Sequence, residues 1–147
     1  MRVRELLRQK SSEVITVKPE APLRTATRLL MEHNVGGLPV VDERGAVVGF
    51  ISERDVVWAV DSTTDAVAEM PVDRVMRKPA PTCDADASLQ QVMGSMTRER
   101  QRHFVITESG RLLGVLSVGD LVKHRLQQLE TETGVLRDYV AAQRAYP

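Results

Sequence analysis

Gly49-Phe50-Ile51-Ser52-Glu53-Arg54-Asp55 is written a second time as Gly114-Val115-Leu116-Ser117-Val118-Gly119-Asp120, so that each run reads Gly-apolar-apolar-Ser-x-x-Asp. The likeness extends upstream. Val14-Ile15-Thr16-Val17 answers Ala80-Pro81-Thr82-Cys83, Leu23 answers Leu89, and Leu38-Pro39-Val40-Val41-Asp42 answers Phe104-Val105-Ile106-Thr107-Glu108. A one-residue slip falls in the turns Glu43-Arg44-Gly45 and Ser109-Gly110, where loop length changes at little cost. Two copies of one unit of roughly 60 residues therefore organise the chain, and duplication decides the fold before local detail does.

Within the first copy, β-branched Glu13 to Val17 reads as a strand ended by proline, and Leu23, Ala26, Leu29 and Leu30 recur at helical spacing from about Pro22 to His33. Gly36-Gly37 is expected to end that helix. Leu38 to Val41 and Ala46 to Ile51 flank Asp42-Glu43-Arg44-Gly45 as a hairpin, and a second helix follows from Ser52 to about Val60. In the second copy Thr82 opens the unit, Ser88 to Arg98 is helical, Phe104 to Ile106 pairs with Leu112 to Leu116, and Ser117 starts the last helix. Val72-Asp73-Arg74-Val75-Met76 mirrors Val3-Arg4-Glu5-Leu6-Leu7 as a lead-in. The expected class is α+β, built from two β-α-β-β-α units at 1–65 and 66–130, with a C-terminal helical extension over 131–147. In that extension Val135, Leu136, Tyr139 and Val140 form an apolar stripe that needs a partner surface.

Composition narrows the function. Aromatic residues make up 3% of the 147 positions, and twenty Lys and Arg cancel twenty Asp and Glu, so neither stacking platforms nor a basic footprint for nucleic acid is present. Cys83 is the single cysteine, which excludes an internal disulfide and a Cys-based zinc site and suits a reducing compartment. The opening seven residues lack the apolar run of a signal peptide, and nothing in the sequence has the length and hydropathy of a membrane span; a cytoplasmic protein without membrane contact is expected. The three His offer no metal-ligand spacing, and Gly94-Ser95-Met96 sits inside a helical pattern rather than at a strand-to-helix elbow, so catalysis is not expected.

Ser-x-x-Asp opening a helix is a capping pattern, in which the hydroxyl accepts a first-turn N–H and the carboxylate offsets the helix dipole. It is equally an anion site beside a carboxylate able to accept both hydroxyl protons of a ribose. Strand edges near Thr16 or Thr82 would then supply backbone partners for a base. Both readings stand on the residues alone.

The two Gly-x-x-Ser-x-x-Asp runs, with Leu38-Pro39-Val40-Val41-Asp42, resemble the tandem cystathionine β-synthase (CBS) domain pair, or Bateman module, from Val3 to about Leu126. The resemblance implies two units packed sheet to sheet about a pseudo-twofold axis, with clefts between them that bind an adenine nucleotide: AMP, ADP, ATP or NAD as a regulatory ligand, with no cofactor required. It further implies that Asp120 and Asp55 hold riboses, that Ser117 and Ser52 meet phosphates, and that Thr16 frames the base with Asp120 and Thr82 with Asp55. Arg102 and His103 stand just before the inner strand, where the family often has basic residues, and Gly36 and Gly37 hold that place in the first copy. Arg54 is the cation of the Asp55 side, opposite Gly119. This distribution leads to the expectation that the Asp120 cleft binds phosphorylated ligands more tightly, and less so as His103 loses its proton above about pH 6.5. A free-standing sensor follows, a homodimer through the helices of the pair that signals to an effector protein. The alternative is a structural dimerisation module with empty clefts.

Overall fold

The computed structural model describes residues 1–10 and 13–145. Both expected units are present, in the order α1 (Val3–Gln9), α2 (Leu23–His33), β1 (Gly37–Val41), β2 (Val47–Ser52), α3 (Glu53–Ser62), β3 (Thr82–Asp84), α4 (Leu89–Glu99), β4 (His103–Glu108), β5 (Arg111–Ser117) and α5 (Val118–Ala145). Short 3-10 turns at Val67–Glu69 and Val72–Arg74 link the units.

In the first unit β1 and β2 pair antiparallel, with Gly37 opposite Ser52. In the second, β3 lies parallel to β4 and β4 antiparallel to β5, with His103 opposite Ser117. The register shifts at corresponding points, Val40/Val41 and Ile106/Thr107. The length slip does fall in the hairpin turns. In the first, Asp42 Oδ1 accepts from the N–H groups of Arg44 and Ala46 at 2.9 Å each. In the second, Ser109 and Gly110 both take positive φ, as a two-residue hairpin turn requires.

Two expectations are corrected. The strand over Glu13 to Val17 shrinks to one parallel bridge between Val17 and Val40; Glu13 to Thr16 join no ladder, and the chain turns at Pro19-Glu20 beyond the bridge. Helix α2 ends at Asn34, in the left-handed conformation with its N–H turned back to the carbonyls of Leu30 and Met31, while Gly37 already belongs to β1. Asn tolerates that conformation through its short polar side chain, and Arg100 closes α4 in the same way. The C-terminal extension continues α5 as one helix of 28 residues. The side chains of the expected stripe at Val135, Leu136, Tyr139 and Val140 lie outside the described residues.

The lead-in segments are exchanged. Val3 and Leu6 of α1 are buried in the core of the second unit with Leu89, Val92, Phe104, Ile106 and Leu116. Val72 is buried in the core of the first, with Leu23, Leu30, Leu38, Val40 and Ile51. Matching hydrogen bonds secure both crossings: Leu89 N–H donates to Met1 C=O at 3.0 Å, and Leu23 N–H donates to Met70 C=O at 2.7 Å. Arg4 adds ion pairs to Asp86 and Glu108. Each unit is thus completed by chain belonging in sequence to the other, which brings residues 8–10, 13–15 and 76–81 to the seam between the units.

Candidate functional site

Each Ser-x-x-Asp run forms a reciprocal cap. Ser52 N–H and Oγ–H both donate to Asp55 Oδ2 at 2.9 Å, and Asp55 N–H returns to Ser52 Oγ at 3.3 Å. Ser117 N–H donates to Asp120 Oδ2 at 2.8 Å and Asp120 N–H to Ser117 Oγ at 3.1 Å. The capping reading holds in both copies, and it leaves the ribose reading open, since among the described residues the hydrogen bonds to either carboxylate fall on Oδ2.

The residues before the inner strands act through their backbone. Glu53 N–H donates to Gly36 C=O at 3.0 Å and Val118 N–H to Arg102 C=O at 2.9 Å, so the first amide of α3 and of α5 is taken by a carbonyl from the facing strand's entrance. That use is blind to the side chain, which explains why Gly stands in one copy and Arg in the other. Arg102 and Arg54 are both exposed at their side chains. Gly36 instead makes room for His103, whose ring a Cβ would approach at 3.1 Å, and His103 lies with its ring centre 5.3 Å from that of Phe50. Burial pushes the imidazole below its ordinary value, against the opposing pull of Asp120. The charged form of His103 is thus disfavoured where the ring sits.

Lys10, at the end of α1, was missed by the motif reading. Its Nζ donates to Asp120 Oδ2 at 2.8 Å and to Val115 C=O at 2.9 Å. Burial alone pushes the Asp120 carboxyl up, but the bonds from Lys10 and from Ser117 N–H outweigh it and hold the group below its ordinary value. The signal was the lead-in repeat: carried three residues past Leu7 and Met76, it sets Lys10 opposite Pro79 at the seam.

A cavity of about 200 Å³ opens between the entrance of the first unit and β5. Val14, Ile15, Val35 and Leu38 give it an apolar wall, Gly114 and Val115 a backbone edge, and Lys10, Glu13 and His33 its charged and titratable groups. Asp120 lines a smaller neighbouring cavity of about 100 Å³, which Lys10 also lines together with Lys123 and His124. Lys10 thus stands between the larger cavity and Asp120. Thr16 is exposed beside Ile15, and Thr82 is exposed on β3; among the described residues no hydrogen bond joins Thr16 to Asp120 or Thr82 to Asp55.

The Asp55 side is built differently. Phe50 and Arg77 exchange backbone hydrogen bonds at 2.9 and 2.8 Å, and Met76 with Arg77 C=O packs onto Gly49 so closely that a Cβ there would collide with both. Ser52 is buried, and Arg77 Nη1 is taken by Gln101 Oε1. Among the described residues no cation pairs with Asp55, so the surroundings of the two Ser-x-x-Asp caps differ chiefly through Lys10 and Phe50.

Comparison with known proteins matches the CBS domain model to residues 3–62 and 72–127. A 17.7 kDa protein of Acidianus ambivalens is 32% identical over 114 residues, covering 77% of this chain and 68% of its own. The crystal structure of the CBS-domain containing protein ATU1752 from Agrobacterium tumefaciens superposes with a TM-score of 0.79 at 37% identity, over 84% of this chain and 92% of that one. The CBS domain pair of protein MJ0100, solved with 5-methylthioadenosine and S-adenosyl-L-methionine, shares the fold at a TM-score of 0.77 and 22% identity, over 87% of this chain and 98% of its own.

Proposed function

The chain belongs to the CBS-domain family, with two copies of the domain, and from that premise we propose a regulatory module that binds an adenine nucleotide between its units and signals to an effector protein. The observation that carries the reading is the seam cavity of about 200 Å³ with its apolar wall, linked through Lys10 to Asp120, whose Oδ1 takes no hydrogen bond among the described residues. MJ0100, a protein of the same fold, takes two adenosine-containing ligands, which supports the ligand class. AMP, ADP, ATP and NAD all carry the required adenosine half.

Asp120 accepts from the ribose, Ser117 and the opening turn of α5 face the first phosphate, and Gly114 with Val115 offers backbone groups close to the ligand. Thr16, next to Ile15 in sequence, frames the base in this reading. At the other cleft Asp55, Ser52, Arg54 and Thr82 take the corresponding parts, with weaker affinity because no lysine stands beside Asp55 among the described residues and Phe50 and Met76 pack tightly onto Gly37 and Gly49. His103, Gly36 and Gly37 shape the wall between the clefts rather than bind charge. No step of bond-making is assigned to any of these residues; the ligand is a signal, not a substrate.

Assembly belongs to the same reading. Trp58 on α3 is 71% exposed, and Val118, Val122 and Leu126 form an exposed row on α5. An apolar groove between α4 and α5 runs past Met93, Met96 and Leu121. A homodimer covers these faces, since a contiguous apolar surface of this kind is unfavourable in water. No helix among the described residues is long and apolar enough to cross a membrane. Mass spectrometry of protein purified without added ligand tests the nucleotide reading: a co-purified adenine nucleotide, or thermal stabilisation by one at millimolar concentration, supports it. If refolded, ligand-free protein shows neither result, the interaction-module alternative stands and the nucleotide reading falls.

A further inference from the structure

Lys10 springs from an anchored helix end. It closes α1 with its N–H on Leu6 C=O at 3.0 Å, and α1 is anchored by buried Val3 and Leu6 and by the ion pairs of Arg4. From that fixed root the ammonium reaches Asp120 Oδ2 and Val115 C=O, with its side chain 31% exposed and that of Asp120 22%. Two of the three ammonium donors are so employed. Because Lys10 lines both cavities and Asp120 only the smaller one, a ribose entering the larger cavity meets Lys10 before it meets the carboxylate.

Moving Lys10 aside separates a half-buried ion pair, and a partly desolvated charge left without its partner is unfavourable. An uncharged nucleoside offers the displaced ammonium no replacement. A phosphate does, and lysine, a compact charge on a flexible four-carbon stem, can pivot to it without moving α1. Building on the nucleotide reading, we propose that Lys10 sets the charge specificity of the Asp120 cleft, passing from Asp120 to the ligand's phosphate and so selecting phosphorylated adenosine over adenosine itself. The second cleft has no such device, since Pro79 occupies the corresponding place and Asp55 takes its bonds from Ser52.

The test is calorimetric titration of ligand-free protein with AMP and with adenosine, on wild type, Lys10→Met and Lys10→Arg, each first shown to melt cooperatively. In wild type AMP is expected to bind about tenfold more tightly than adenosine, the scale of one charge-assisted bond. Lys10→Met should remove most of that preference by weakening AMP while adenosine holds or improves, and Lys10→Arg should restore it. An equal loss for both ligands, or a preference that survives Lys10→Met, overturns the role of Lys10 alone. Wild type that binds neither ligand overturns the nucleotide reading and this inference with it.

Discussion

Lys10 Nζ lies 2.8 Å from Asp120 Oδ2, so the end of the first helix is tied to the opening turn of the last. That bond joins two parts of the chain brought together only because the lead-in segments cross between the units. It also places a titratable link at the mouth of the candidate site.

Stability should report this link through pH. Asp120 is held below its ordinary value, so its contribution is complete above the unfolded-state value near pH 4 and is lost as pH falls through the lower folded value. Thermal melts of wild type and Lys10→Met are expected to differ by a constant amount above about pH 5, with the gap closing below pH 4. A gap that stays constant down to pH 3 would mean that the pair does not act as an ion pair.

His103 makes a separate prediction. With its folded value lowered by burial, the imidazole is neutral at pH 7, and stability should fall as pH drops from about 6.5 toward that lower value. A proton NMR titration of the ring is expected to give a midpoint below 6.5, and nucleotide affinity should stay flat from pH 7 to 8. A midpoint at or above 6.5 would restore His103 as a phosphate partner.

Much of the fold was legible because duplication prints every signal twice: the hairpins, both amphipathic helices and both Ser-x-x-Asp caps stand where the repeat puts them. Glu13 to Val17 misled because β-branched composition says nothing about whether a neighbour is free to pair, and only Val17 reaches Val40. Gly36-Gly37 looked like a helix stop, whereas Asn34 does that work and Gly36 clears space for His103. The carboxylates of the site were visible in the motif. Lys10 was not, since its role depends on the exchange of α1 into the second unit, and no local pattern encodes a contact between residues so far apart in sequence.

The two motif glycines should respond unequally to a methyl group. At Gly49 a Cβ would lie 2.8 Å from Arg77 C=O, a backbone atom that cannot yield, whereas at Gly114 it would meet the flexible end of Leu7 at 3.1 Å. Urea unfolding is expected to show Gly49→Ala losing about 1–3 kcal/mol and Gly114→Ala clearly less. Equal losses would contradict the difference drawn between the seams.

Assembly is testable through Trp58, the single tryptophan. Wild type is expected to scatter light as a dimer at tens of micromolar, and Val122→Glu, which puts a charge on the exposed row of α5, should give a monomer that still melts cooperatively. A blue-shifted Trp58 emission in the dimer, lost in the variant, would place α3 in the same interface. A wild-type monomer at that concentration would refute the homodimer.

The most direct test of nucleotide sensing is titration of AMP into ligand-free wild type and Asp120→Asn. Asparagine keeps the shape of the cap and an acceptor for Ser117 N–H, but loses the charge that favours a ribose hydroxyl. The expected result is micromolar affinity in wild type, on the order of −8 kcal/mol, weakened about tenfold in Asp120→Asn, with both proteins folded. No heat at millimolar AMP, or an affinity that Asp120→Asn leaves unchanged, would show that the carboxylate serves only as a helix cap.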